Sequence, residues 1–130
     1  MTDPASGDRP PIDVLLRRDG SHGQLAVVEM TFPAGDHGPP LHVHPGHGEG
    51  FYVLEGEMTF KVGDDVVTGG PGTFAFAPAG SAHTLANLGD RDARLLVLCA
   101  PAGFERYFDR LAAGQPGPPE EDSYAVGPSL

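Results

Sequence analysis

The chain has a single cysteine, few basic residues and no long apolar segment. One cysteine, Cys99, excludes a disulfide within the chain, which fits a reducing cytoplasm. It lies in the apolar run "LLVLCA", where we expect a buried small side chain and not a reactive thiol. No run approaches the roughly 20 apolar residues of a membrane span, and the first residues contain no apolar signal region. We therefore expect a cytoplasmic protein with no membrane partner.

Basic residues are also scarce. Lys and Arg number 8 against 18 Asp and Glu, which gives a formal net charge of −10. A field of this sign repels phosphate backbones and anionic lipids, so we expect no nucleic-acid partner. Glycine and proline are abundant instead, at 19 and 14 of the 130 residues, which favours many turns and few long helices in one domain.

Short apolar segments at close, regular spacing predict an all-β sandwich or barrel. Gly-rich turns separate them, and Glu55-Gly56-Glu57 is expected to close a tight β-hairpin with the glycine in the left-handed region. A second turn is expected at residues 63–65. The predicted strands cover residues 12–18, 24–33, 50–56, 57–62, 66–69, 73–78, 82–88 and 93–101.

One helix is predicted near the end of the chain, where Phe104, Tyr107, Phe108 and Leu111 form a single apolar stripe. We expect this stripe to pack on the outside or mouth of the barrel, or on a partner subunit, and not to form a cofactor site. The predicted organisation has three parts. These are a flexible N-terminal segment (1–11), one folded domain (12–113) and a flexible acidic, Pro-rich tail (114–130).

The segment "LHVHPGHGEG" is rich in metal-ligating side chains. Alternate residues of a strand point to the same face, so His42 and His44 can bind one metal together. Glu49 follows across a short loop that can fold its carboxylate back toward the pair. Three such ligands leave coordination positions open, as a catalytic or ligand-binding site requires. His47 lies between them and has two interpretations, a nearby base or substitute ligand, or a solvent-facing loop residue.

A second motif strengthens the metal hypothesis. Residues 72–87, "GTFAFAPAGSAHTLAN", place His83 after a Pro-Ala-Gly turn, and no other motif in the chain competes with the metal hypothesis. The two segments together resemble the paired motifs of the cupin superfamily. The matching positions are His42, His44, Glu49 and Gly56 in the first motif, and Gly72, Pro78, Gly80, His83 and Asn87 in the second. The customary glycine six residues before the first histidine is replaced by Asp36, beside Gly35.

The resemblance implies a double-stranded β-helix barrel of the cupin or jelly-roll type with a short C-terminal helix. It also implies that His42, His44, Glu49 and His83 converge on one divalent metal ion per chain, which can be Fe, Mn, Ni, Cu or Zn. Small cupins commonly pair through a sheet edge. We therefore expect a homodimer, with the strand at 12–18 as the candidate for pairing or exchange.

The segment "PAGFERYF" looks like the ending of small single-domain bacterial cupins that are likened to quercetin dioxygenases. The resemblance therefore favours a metal-dependent dioxygenase acting on a small aromatic or dicarbonyl compound, with Glu49 also taking a substrate hydroxyl proton. Two alternatives stay open. They are a Lewis-acid cyclase or isomerase of a polyketide-like compound, and a small-ligand-binding module without turnover. The predicted pocket residues are Phe51, Val53, Met58, Phe60 and Phe76.

Overall fold

Two antiparallel sheets of five strands each make up the fold in the computed structural model, which describes residues 10–115, 117, 119 and 121–130. Strand order is β1-β2-β9-β4-β7 in the first sheet and β10-β3-β8-β5-β6 in the second. All eight predicted strands are present, and residues 1–9 of the predicted N-terminal segment lie outside the described part. The strands are β1 (Ile12–Leu16), β2 (Ala26–Phe32), β3 (His42–Val43), β4 (Gly48–Glu55), β5 (Met58–Val62), β6 (Asp65–Gly69), β7 (Phe74–Ala77), β8 (Ala82–Ala86), β9 (Ala93–Ala100) and β10 (Tyr124–Ala125).

The core lies between the inner faces of the two sheets. Burial alternates along β9, where Leu95 and Val97 are buried and the residues between them are partly exposed, as the two-residue period of a strand requires. Phe51 from the first sheet and Phe60 from the second stack across the interior with ring centroids 5.3 Å apart. Apolar side chains of both sheets therefore join in one cluster.

The turn at Glu55–Glu57 does not close a hairpin, so that prediction is wrong. β4 pairs with β7 and β9 in the first sheet, whereas β5 pairs with β6 and β8 in the second. The turn carries the chain from one sheet to the other, with Gly56 at φ 75° as expected. Alternating apolar segments on either side of a glycine look the same in both arrangements, so the sequence pattern does not separate them. The turn at 63–65 does join two paired strands, β5 and β6.

The predicted helix is α1 (Glu105–Ala112), and it packs against β1 and β2. No helix among the described residues is long and apolar enough to cross a membrane. The segment predicted as a flexible tail contains a strand that the sequence analysis missed. β10 pairs with β3 through Tyr124↔Val43 and Ala125↔His42, so the described end of this segment extends the second sheet.

Candidate metal centre

Three histidines meet where β3 and β8 pair. His42 on β3 lies directly opposite His83 on β8, and His44 follows one residue after β3 ends. The ring centroids lie 4.7 Å apart for His42 and His44, 4.4 Å for His42 and His83, and 4.9 Å for His44 and His83. One ring nitrogen from each of the three lies within 4.8 Å of the others. The sheet register therefore assembles a three-imidazole group from two motifs that are far apart in the sequence.

Each of these imidazoles is oriented by a backbone carbonyl. Nδ1 lies 2.7 Å from the Pro40 carbonyl oxygen in His42, 2.8 Å from that of Asp122 in His44, and 3.1 Å from that of Ser81 in His83. A carbonyl oxygen only accepts, so Nδ1 carries a proton in all three rings and Nε2 is the atom that faces the other imidazoles. This is the arrangement typical of metal-ligating histidines.

The Nε2 atoms of His44 and His83 are buried and make no hydrogen bond among the described residues. Buried polar atoms are almost always satisfied, so two unsatisfied imidazole nitrogens at one point call for a ligand. A divalent metal ion fits, because neutral imidazole and carboxylate are its usual donors. Burial lowers the pKa of His42 and lowers that of His83 to about 4, so both rings are neutral at pH 7 and able to coordinate.

Glu49 projects from β4 into the same interior and is 4 % exposed. Its Oε2 lies 2.8 Å from Nε2 of His44, without hydrogen-bond alignment between the two atoms. Burial would raise the pKa of Glu49, but its contacts with His44 and His47 outweigh this and hold the pKa at about 2. The carboxylate is therefore ionised and joins the three-imidazole group through His44.

His47 is 4 % exposed, so the solvent-facing interpretation is wrong. Its ring stacks on His44 with centroids 4.2 Å apart, its Nε2 lies 3.3 Å from Oε2 of Glu49, and its Nδ1 lies 2.8 Å from Oδ2 of Asp122. Burial opposes protonation, but the bonds to the two carboxylates outweigh it and raise the pKa of His47. His44, His47 and Glu49 form a second group of possible ligand atoms. Because both His47 nitrogens already face carboxylates, a set of His42, His44 and His83 with Glu49 suits a metal better.

A cavity of about 630 Å³ opens beside these side chains. His42, His44 and Glu49 lie in its wall, and most of the remaining lining is apolar. Among the predicted pocket residues, Phe51 lines this cavity, whereas Val53, Met58 and Phe60 are buried in the core behind it. Phe76 points away from the interior and is 53 % exposed, so its assignment to the pocket is wrong. Strand alternation places Ala77 of β7 inward and Phe76 outward.

Two parts of the site were missed by the sequence analysis. The helix stripe was expected outside any cofactor site, yet Phe104 lies 4.5 Å from His44 and 4.9 Å from His47 between ring centroids. Phe104 and Tyr107 line the cavity. Asp122 was placed in the tail, where an acidic composition gave no indication that this one carboxylate contacts His47.

The fold and the site together define a double-stranded β-helix barrel with a histidine–carboxylate centre, as the sequence predicted. The profile of the Cupin domain family matches residues 28–99. The chain therefore belongs to the cupin family.

Three proteins of known name are among those similar to this chain. Quercetin 2,3-dioxygenase of Bacillus subtilis (strain 168) is 31% identical over 98 residues, which are 75% of this chain and only 28% of that enzyme. The crystal structure of a predicted oxalate decarboxylase from Thermotoga maritima is 27% identical with a TM-score of 0.65, covering 69% of this chain and 78% of that one. The DMSP lyase DddQ from Ruegeria pomeroyi DSS-3 is 28% identical with a TM-score of 0.57, covering 82% of this chain and 45% of that one.

Proposed function

We propose that this cupin is a metal-dependent dioxygenase-type oxidoreductase acting on a small aromatic or dicarbonyl compound. One observation carries the proposal. Unpaired imidazole nitrogens, buried at the junction of β3 and β8, lie beside a largely apolar cavity of about 630 Å³. Cavities of a few hundred Å³ hold small organic ligands, and a polar centre in an apolar wall fixes their orientation. The similarity to a quercetin 2,3-dioxygenase, which covers 28% of that enzyme, supports this chemistry.

His42, His44, His83 and Glu49 would hold one divalent ion. When bound, a redox-active ion such as Fe, Mn, Ni or Cu supplies open positions for a substrate oxygen and for dioxygen. The protein's share is orientation, because the three Nδ1–H groups donate to carbonyl oxygens and fix the rings. A pKa held at about 2 makes Glu49 a weak base, which suits a ligand better than the predicted acceptor of a substrate proton.

The aromatic wall favours a planar substrate. Phe51 on one side and Phe104, Tyr107 and Phe108 on the other line the cavity. Rings of this kind stack on flat phenolic or enolic compounds and exclude water from the reacting centre. Tyr107 is half-buried, and burial raises the pKa of its phenol, so it enters the cavity as a neutral hydroxyl.

Oxygen uptake tests the proposal directly. Metal-free protein is loaded separately with Fe, Mn, Ni, Cu or Zn and mixed with quercetin or acetylacetone in an oxygen-electrode cell. We expect uptake with at least one redox-active ion and none with Zn. His83→Ala should abolish it, whereas His22→Ala, at an exposed turn away from the cavity, should leave it unchanged. No uptake with any ion and either substrate class would reject the dioxygenase.

A Lewis-acid enzyme is the second candidate, because a similar structure belongs to a lyase, the DMSP lyase DddQ. His42, His44, His83 and Glu49 would then hold an ion that supplies a Lewis acid for a carbonyl of a polyketide-like or other oxygenated compound, as cyclisation, isomerisation or elimination requires. Zn-loaded protein should then convert its substrate without consuming oxygen, and His83→Ala should lose that conversion. Binding of quercetin, followed by fluorescence quenching, with no conversion under any ion would favour a ligand-binding module instead.

A further inference from the structure

We propose that Asp122 is a positioning residue that holds the ligand loop, residues 44–47, in its metal-binding shape. The inference rests on the metal site of the proposed function. Asp122 is 78 residues away from His44 in sequence, yet it contacts the loop at three points.

The Asp122 carboxylate makes two of these contacts. Its Oδ2 accepts from Nδ1 of His47 at 2.8 Å and from the Gly46 backbone N–H at 2.8 Å, while Oδ1 lies 3.0 Å from the same N–H. Pro45 and Gly46 are exposed and lie outside β3 and β4, so no sheet ladder holds them. A charged acceptor shared by two donors is stronger than a neutral one, and it fixes the loop where the sheet does not.

The Asp122 backbone makes the third contact. Its carbonyl oxygen accepts from Nδ1 of His44 at 2.8 Å, which sets the direction of the ring that has the unsatisfied Nε2. A carbonyl or carboxylate in this position fixes the tautomer and the orientation of a ligating histidine. One residue therefore positions both His44 and the imidazole stacked on it.

Asp122 is itself held from both sides. On one side Arg110 of α1 binds Glu121 through two contacts of 3.2 and 2.8 Å. On the other side β10 pairs with β3, and the Val126 N–H donates to the Leu41 carbonyl oxygen at 2.7 Å. The aspartate thus reaches the loop from an anchored backbone, as a positioning role requires.

Metal affinity is the first test. Dissociation constants for Ni²⁺ and Zn²⁺ are measured by competition with a fluorescent chelator. Removing a group that orients a metal ligand typically weakens binding about 10- to 100-fold. We expect Asp122→Ala to weaken the binding of both ions by about 10-fold or more. Asp122→Asn should lose less affinity, because one acceptor oxygen remains. Asp64→Asn makes the same charge change in the exposed β5–β6 turn and should bind like the wild type. Equal affinities in wild type and Asp122→Ala overturn the proposal.

A metal-free measurement separates this inference from the proposed function. Nitrogen-15 NMR of the apoprotein should show a downfield Nδ1–H resonance for His47, identified by its loss in His47→Ala, and Asp122→Ala should remove it. A purely structural role would lower the unfolding midpoint and leave this signal and the affinity intact. If the wild type binds neither ion, the metal-dependent function fails, and the NMR comparison still decides. An unchanged His47 signal in Asp122→Ala overturns the positioning role, and a lost one supports it.

Discussion

Gly56, where the chain passes from the first sheet to the second, should tolerate no side chain. Its φ is 75°, and a Cβ added there would lie 2.6 Å from the Asp92 carbonyl oxygen and 2.8 Å from Cα of Ala93. The left-handed conformation alone costs a non-glycine residue about 1–2 kcal/mol. Relieving the overlap requires the backbone to move, and overpacking of this kind costs about 1–3 kcal/mol more. We therefore expect Gly56→Ala to lower the free energy of unfolding by about 2–5 kcal/mol.

Gly63→Ala is the matched control. Gly63 lies in the β5–β6 turn with φ 58°, and a Cβ there would meet no atom within 4 Å. An alanine there has the conformational cost without the steric one, so we expect the free energy of unfolding to fall by only about 1–2 kcal/mol. Urea denaturation followed by circular dichroism measures both variants against the wild type. Equal losses of unfolding free energy in the two variants would contradict the prediction, because only Gly56→Ala is expected to collide with Asp92 and Ala93.

Three further predictions concern the core, the cysteine and assembly. Asn87→Ala should cost about 2–4 kcal/mol by urea denaturation, because the fully buried amide donates to the Phe32 and Arg91 carbonyl oxygens and accepts from the Gly89 N–H; a loss below about 1 kcal/mol would contradict this. Cys99 is 0% exposed, and burial raises the pKa of its thiol, so Ellman's reagent should label it only after unfolding, and rapid labelling of the native protein would be the contrary result. We also expect a homodimer that pairs through β1, an edge strand of the first sheet, with a light-scattering mass of about twice 13.6 kDa; a monomeric wild type would contradict this.

Much of the fold could be predicted because its signals are local. Turn glycines and short alternating segments mark the strands, and the stripe from Phe104 to Leu111 marks the helix. Pairing between strands is not local. The Glu55–Glu57 turn has the composition of a hairpin, and only the competing partners of β4 and β5 assign them to different sheets. β10 was missed because two residues in a Pro- and Gly-rich segment carry no period that a pattern can detect.

The candidate ligands could be named from the sequence for a similar reason. His42, His44, Glu49 and His83 stand at fixed spacings, so the motif identifies them before any contact is known. The direction in which the pocket side chains point was harder to predict from the sequence. Phe76 and Ala77 are neighbours on one strand, and a shift of a single residue exchanges the inner and outer faces.

The anchors of the three imidazoles show where sequence information ends. His42 and His83 each donate to a carbonyl two residues earlier, at Pro40 and Ser81, so these anchors arise from the local backbone of the motifs themselves. His44 donates to Asp122, which reaches it only because β10 pairs with β3. The motif therefore contains the candidate ligands and two of the three carbonyl groups that orient their imidazoles. The third contact depends on Asp122, which lies outside the motif. Substitutions around Asp122 can therefore change the loop around His44 without changing a candidate ligand.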